Sequence, residues 1–360
     1  MLKHLELFSG IGGFRQAIEL LGKDHGLSSR CIGFSEIDKY ASITYKSNFD
    51  TRNELEIGDI EAFTSDKKNI ESMEDFDLLM GGFPCQPFSM MGKQKGFEDE
   101  RGDIFYRIID ILKIKKPPFI LLENVKNLKT HNKGNTFKEI IRALNESGYP
   151  QVYYDVFNTV NFNLAQTRNR IFIFASKVEL PSKFAFTEKS IINSFNEFNE
   201  NRSILTQKNI LEVLEKNVDD KYYLSEKVKP TILSNGTQNF SSNSEINQLI
   251  ARPLTATMVK LHRACQDNYY SDEFLTSKDP LKYNTNIFSK KELENHRIRK
   301  LTPKEAFNLQ GFNDMFLYNA IKAGTSNHQL YKQAGNAVSV NTVYAILHHL
   351  IVVNEILKIK

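Results

Sequence analysis

Short apolar segments alternate with helical patterns through the first half of the chain, and this alternation restricts the fold more than any other feature. Residues 2–9, 31–38, 54–59, 76–83, 119–125, 153–159 and 170–176 read as buried strands that end in turn or polar signals. Between them, 14–21, 103–114 and 136–145 carry apolar residues at helical spacing. Such an alternation predicts an α/β fold, an open sheet with helices on both faces. Ligands of open sheets bind at the carboxyl ends of the strands. The polar residues singled out below gather at those ends.

Near Leu180-Pro181 the character changes. Residues 181–296 are rich in Ser, Asn, Lys and aromatics, with weak periodicity and loop clusters such as Ser234-Asn235-Gly236. This stretch reads as a second, smaller, loop-rich domain, leaving 1–180 plus 297–360 as the main one. Order returns near Arg297. Thr302 reads as a helix cap, with Pro303 at the first position and Glu305 completing a capping box. A long apolar helix from Asn341 closes the chain.

Composition excludes several classes. With 41% hydrophobic and 25% charged residues among 360, the chain is an ordinary globular protein. A net charge of +4 permits a nucleic-acid partner without arguing for one. Three cysteines, Cys31, Cys85 and Cys265, are far apart and odd in number, against a disulfide scaffold or a zinc site, so no metal is expected. No signal-peptide pattern opens the chain. The longest apolar stretch is interrupted by His348, His349, Asn354 and Glu355, which predicts a buried helix rather than a membrane span. A cytoplasmic protein is the expectation.

Phe8-Ser9-Gly10-Ile11-Gly12-Gly13-Phe14 joins the first strand to a helix. Its glycines allow close approach of a ligand, and the helix start offers free N–H donors. Glu36, ending the second strand, is placed to bind both hydroxyls of a ribose, and Asp59, ending the third, to accept from an adenine amino group. Together they point to an adenosine-containing cofactor, a dinucleotide still among the choices.

Gly81-Gly82-Phe83-Pro84-Cys85-Gln86-Pro87 sets a cysteine just past a buried strand, on a stiff proline-flanked loop. A thiolate there suits covalent catalysis. A lone intracellular cysteine is more often a small buried hydrophobe, but packing alone leaves its prolines and Gln86 unexplained. Glu123-Asn124-Val125 ends the next strand, where desolvation can raise a carboxyl and fit it to donate a proton. In Gln166-Thr167-Arg168-Asn169-Arg170 the two arginines share a face of an extended segment, to converge on one pocket or to sit solvated at a strand end.

In this order, Phe8–Phe14, Pro84-Cys85-Gln86, Glu123-Asn124-Val125, 166–170 and Gln333-Ala334-Gly335-Asn336-Ala337-Val338 resemble the motifs of cytosine-C5 DNA methyltransferases of the bacterial restriction–modification type. The resemblance covers 1–176 and roughly 297–345. It implies a Rossmann-like S-adenosylmethionine-dependent sheet, with 181–296 as target-recognition domain. Phe8, Ser9, Gly10, Ile11, Gly12, Gly13, Phe14, Glu36, Asp59, Pro84, Asn336, Ala337 and Val338 would then surround the methyl donor. Ile37 would pack on its adenine with Ile60, and Ile104 would add a further apolar contact. Ala337 departs from the family's usual serine, without expected consequence for the chemistry.

The resemblance further implies that Cys85 attacks carbon 6 of a flipped-out cytosine, making carbon 5 nucleophilic toward the methyl group. Glu123 would hydrogen-bond or protonate N3 and Asn124 hold the loop, while Arg168 and Arg170 grip the base carbonyl, the cysteine loop or a phosphate. Residues 86–102 read as a glycine-hinged lid whose Gln86, Ser89 and Lys93 touch DNA. In the variable region Arg252, Thr255, Thr257, Lys260, His262 and Arg263 are the candidates for base and phosphate contacts. The expected partner is double-stranded DNA, with a separately acting cognate restriction endonuclease, and the expected state a monomer. Rival readings are a tRNA cytosine-C5 methyltransferase, a silent DNA-binding relative and a dinucleotide oxidoreductase.

Overall fold

The computed structural model describes residues 1–84, 104–197, 202–237 and 240–359. Its chain divides into two compact units. The first holds Met1–Asn158, Asn169–Ile204 and Val338–Lys360; the second holds Thr159–Arg168 and Leu205–Ala337.

Seven strands of the first unit form one sheet: β1 (Leu2–Leu7), β2 (Ser29–Phe34), β3 (Leu55–Glu56), β4 (Leu78–Gly82), β5 (Phe119–Val125), β6 (Gln151–Asn158) and β7 (Asn169–Ser176). Their spatial order is β3-β2-β1-β4-β5-β7-β6. The strands from β3 to β5 pair in parallel, whereas β7 runs antiparallel to β5 and β6. The order reverses between β1 and β4, the place where an open sheet leaves a crevice at its carboxyl edge.

Helices α1 (Gly13–His25), α2 (Lys39–Asn48), α3 (Ile60–Thr64), α4 (Lys67–Ser72), α5 (Ile104–Lys115) and α6 (Asn135–Glu146) lie between these strands in the chain, and α7 (Glu188–Glu197) follows β7. Period-two alternation sends Leu5, Leu79, Ile120, Leu122, Ile171 and Ile173 into one core with Ile70, Phe105, Ile108, Leu112, Ile140 and Leu144 of α4, α5 and α6. Each large apolar side chain buried this way contributes about 1.5–3 kcal/mol. On the other face, Phe174 packs on Phe119, Phe184 and Phe186, with ring centroids 6.1, 5.7 and 5.6 Å away. There α1 packs along the C-terminal helix, Val340–Leu347. All eight residues of that helix are buried, as its apolar sequence predicts.

Three local readings are corrected. The segment expected to end in Asp59 is a strand only over Leu55–Glu56. Asp59 is instead the N-cap of α3, accepting from the Glu61 N–H at 2.9 Å. Glu36 likewise lies two residues past the end of β2. The helix α2 escapes a periodicity search because its sequence, KYASITYKSN, has no clear apolar stripe; the Asp38 carboxylate fixes its start by accepting from the N–H groups of Tyr40 and Ala41.

In the second unit the chain forms α8 (Lys229–Leu233), a hairpin of β8 (Gly236–Thr237) and β9 (Phe240–Ser241), β10 (Tyr269–Ser271), α9 (Asp272–Thr276), α10 (Lys290–Leu293), β11 (Ile298–Lys300), α11 (Pro303–Asn308), α12 (Asp314–Lys322) and α13 (Asn327–Asn336). Leu224, Ile232, Leu233, Ile246, Tyr269, Leu293 and Ile298 make its core. The compact units break at 204/205 and 337/338 rather than at 180/181 and 296/297. Hydrogen bonding gives the reason. Strand β11 pairs with β10, Tyr270 opposite Arg299. The fully buried Arg299 holds both carboxylate oxygens of Glu305, at 2.9 and 2.8 Å. Glu305 also closes the expected capping box with Thr302, so 298–308 is tied to the second unit.

Candidate active site

Two adjacent strand ends build the centre of the site. Gly82, the last residue of β4, lies opposite Glu123 of β5. A side chain on Gly82 would press on Glu123, whose Oε2 lies 3.2 Å from where its Cβ would be. Asn124, buried at 2% exposure, donates its Nδ2 to the Phe83 carbonyl at 2.8 Å and accepts from the Val125 N–H at 2.8 Å. It thereby clamps the backbone at Phe83, two residues ahead of Cys85 in the sequence. Cys85, Gln86, Ser89 and Lys93 lie outside the described residues.

Glu123 has a charged partner. The Arg170 Nε lies 3.0 Å from its Oε1, and both side chains are largely enclosed. Arg168 has a different task. At 2% exposure, its terminal nitrogens donate to the carbonyls of Leu254, Gly335 and Ala337 at 3.0, 3.1 and 2.9 Å. The two arginines therefore take separate partners, each in its own unit, although their i, i+2 spacing suggests a common target. Sequence reasoning missed this because carbonyl acceptors leave no trace in side-chain patterns. It also missed Gly82, which the doubled glycine at the end of β4 could have signalled.

The expected cofactor residues of the first unit surround the end of β1. Phe8 is half-buried against the core and takes a left-handed φ of 53°. Gly10, with φ 56°, has nothing within 4 Å of where a Cβ would sit, so backbone is open to a ligand there. Gly13 is needed for packing: a Cβ would lie 2.5 Å from Val338 Cγ1 and 2.7 Å from its carbonyl. The Glu36 carboxylate accepts from the N–H groups of Gly10 and Asp38, each at 2.7 Å. Burial pushes its carboxyl upward, against the pull of these bonds.

These residues fit an adenosyl group on their own chemistry. The buried Ser9 hydroxyl has no hydrogen-bond partner among the described residues. Ile37 stands 77% exposed beside Glu36, an apolar surface large enough to cover a purine face. Ile60 does not join it; its side chain is buried in the core below. Ile11 and Phe14 are buried as well, anchoring the loop from beneath. Ile104 opens α5, half-buried against the core, and Pro84 is exposed. Asn336 and Ala337 end α13 in the second unit, where Asn336 is exposed.

The expected DNA contacts are mostly engaged within the second unit. Arg252 reaches the Glu245 carbonyl at 3.3 Å. His262 takes Asp267, through Nδ1 at 3.2 Å and its own N–H at 2.9 Å. Arg263 donates to the Ser234 hydroxyl at 3.0 Å. The backbone of Thr255 packs so closely on Gly335 that a Cβ there would fall 2.2 Å from it. Thr257 and Lys260 are exposed.

The family model of the C-5 cytosine-specific DNA methylases matches residues 2–352. The Type II methyltransferase M1.ScrFI of Lactococcus lactis subsp. cremoris is 37% identical over 353 residues, 98% of this chain and 79% of that protein. The Type II methyltransferase M.HpaII of Haemophilus parainfluenzae is 36% identical over 344 residues, 95% and 87% of the two. Among solved structures, the S. pombe Dnmt2 methyltransferase superposes with a TM-score of 0.72 at 21% identity, covering 99% of this chain and all of that one; it shares the fold.

Proposed function

Because the chain belongs to the C-5 cytosine-specific DNA methylase family, we propose that it methylates carbon 5 of a cytosine within a specific duplex DNA sequence, with Cys85 as covalent nucleophile. The observation that carries this reading is the clamp at the strand ends. Asn124 holds the Phe83 carbonyl while Glu123, paired with Arg170, stands opposite Gly82. A nucleophile on the next two residues of chain would act beside a fixed carboxylate.

The residues divide the work as follows. The Cys85 thiolate attacks carbon 6 of the cytosine, and the electron pair of the 5,6 double bond becomes available at carbon 5. Glu123 meets ring N3, sharing a proton with it and so stabilising the adduct; Arg170 keeps the carboxylate in place. Bound S-adenosylmethionine supplies an electrophilic methyl group. Once carbon 5 carries that methyl, its proton passes to solvent water, the 5,6 double bond re-forms and the Cys85 thiolate leaves carbon 6. Glu36 would accept from the ribose hydroxyls, Ser9 would satisfy its hydroxyl on the ligand, and Ile37 would cover the adenine. The stacked base cannot meet any of these groups, so the cytosine must leave the helix, at a cost of a few kcal/mol.

Thr257 and Lys260 are the exposed candidates for DNA contact in the second unit. The chain would act as a monomer alongside a separate endonuclease of the same specificity. Incubation with S-adenosylmethionine and a random-sequence duplex pool, followed by bisulfite sequencing, tests the proposal. Protected cytosines within one recurring sequence are expected. Methylation of tRNA but of no duplex would replace this reading with the RNA one.

A further inference from the structure

The segment that follows the catalytic strand end carries charge the chemistry does not use. From Asn124 to Lys138 the chain has four lysines and one histidine and no acidic residue, in a protein whose net charge is only +4. It leaves β5 at Val125 and runs through two short 3₁₀ turns, Lys126–Lys129 and His131–Gly134, before α6 begins. Lys126, Lys129 and Lys133 are all exposed. None of them forms an ion pair among the described residues, whereas Arg142 on the following helix pairs with both Glu139 and Glu146.

The segment is not a loose loop. Leu128 is fully buried in the core and pins the first turn. Asn132 and Lys133 both hold left-handed backbone, with φ of 50° and 57°, and His131 bonds the Thr136 hydroxyl at 2.7 Å. The Lys129 ammonium lies 5.6 Å from the ring centroid of Tyr154, which is 42% exposed and braced edge-on by Phe137. Three exposed lysines thus stand on one anchored segment, starting two residues past Asn124. Grouping unpaired like charges is unfavourable in the free protein unless an anionic partner covers them.

We propose that Lys126, Lys129 and Lys133 form a phosphate-binding rim for the backbone of the substrate duplex, flanking the strand end where the cytosine is processed. This rests on the reading that the substrate is duplex DNA. Successive phosphates lie several ångströms apart, so one lysine per phosphate neutralises charge without reading sequence. The rim adds affinity and register, and leaves the chemical step untouched.

The test compares the full-length wild type with a K126Q/K129Q/K133Q variant and a K113Q/K116Q/K177Q control. The control residues sit at the opposite, amino end of β5, where α5 and β7 finish. Binding to a random-sequence duplex is measured over a range of salt, and methyl transfer over a range of DNA concentration. The rim variant is expected to lose about 2–3 from the slope of log K against log[salt], close to 0.9 per phosphate contact released. Its KM for DNA should rise about tenfold or more, with kcat within about twofold of wild type. An unchanged slope, or an equal loss in the control, overturns the rim. Failure of the parent reading is separable, because the wild type itself would then methylate no duplex, and the rim would fall with it.

Discussion

Glu123 stands in an environment that its position in the sequence does not predict. Enclosure suggests an acid raised by desolvation, yet Arg170 stands 3.0 Å away. Replacement by Gln keeps the shape and removes the charge, so methyl transfer should fall by about 10²–10⁴-fold at saturating DNA and cofactor, read in a single-turnover assay. A second residue-scale effect lies beneath the glycine loop. Burial, opposed by Arg15, raises the Glu6 carboxyl to about 8, while burial and Arg15 together lower His4 to about 3. Both are fully enclosed, with Nδ1 of His4 3.8 Å from Glu6 and the Tyr45 hydroxyl donating to Glu6 at 3.1 Å. Between pH 4.5 and 8 the unfolded chain has released the Glu6 proton that the folded chain keeps, so stability falls as pH rises. His4 acts oppositely, losing stability as pH falls from 6.5 toward 3. Above pH 6.5 only Glu6 remains of the two. Thermal unfolding of Glu6→Gln should therefore lose less Tm than wild type between pH 6.5 and 8; parallel curves would mean that Glu6 ionises normally.

Among the elements, those with strong periodicity were legible in advance and those fixed by capping or by backbone acceptors were not. Strand β5 was read to the residue, and α1, α5 and α6 within a few residues, because their apolar faces repeat at 2 or 3.6. The Thr302–Glu305 capping box was legible because it is a local pattern of side chains. Helix α2 and the shortness of β3 were not, since polar residues at Asp38 and Asp59 act there through backbone N–H groups. The same limit hid the role of Arg168. The element that most depends on one pair is the β11–α11 corner. Arg299 and Glu305 are both fully buried, and Glu305 also accepts from the Glu215 N–H at 2.7 Å. Arg299→Met leaves that carboxylate buried without its counter-charge and should cost about 3–5 kcal/mol in urea unfolding. A loss below 1 kcal/mol would show that the corner does not need the pair.

For the molecule as a whole, the chain passes between its two units at 158/159, 168/169, 204/205 and 337/338. Two of these four crossings fall at motif residues, 168/169 just after Arg168 and 337/338 between Ala337 and Val338. The ordered motif set was legible in the sequence while the unit boundaries were not. Motifs are local strings, but a boundary depends on which distant strand or helix a segment joins, as β11 joins β10. The proposed covalent transfer through one thiol is interrogated directly by a duplex carrying 5-fluorocytosine at the target, because fluorine cannot leave as a cation and the adduct cannot resolve. After incubation with S-adenosylmethionine, peptide mapping by mass spectrometry should place a methylated fluorocytosine adduct on Cys85, absent from Cys85→Ala. Methylation with no trapped adduct, or an adduct on Cys31 or Cys265, would contradict the account.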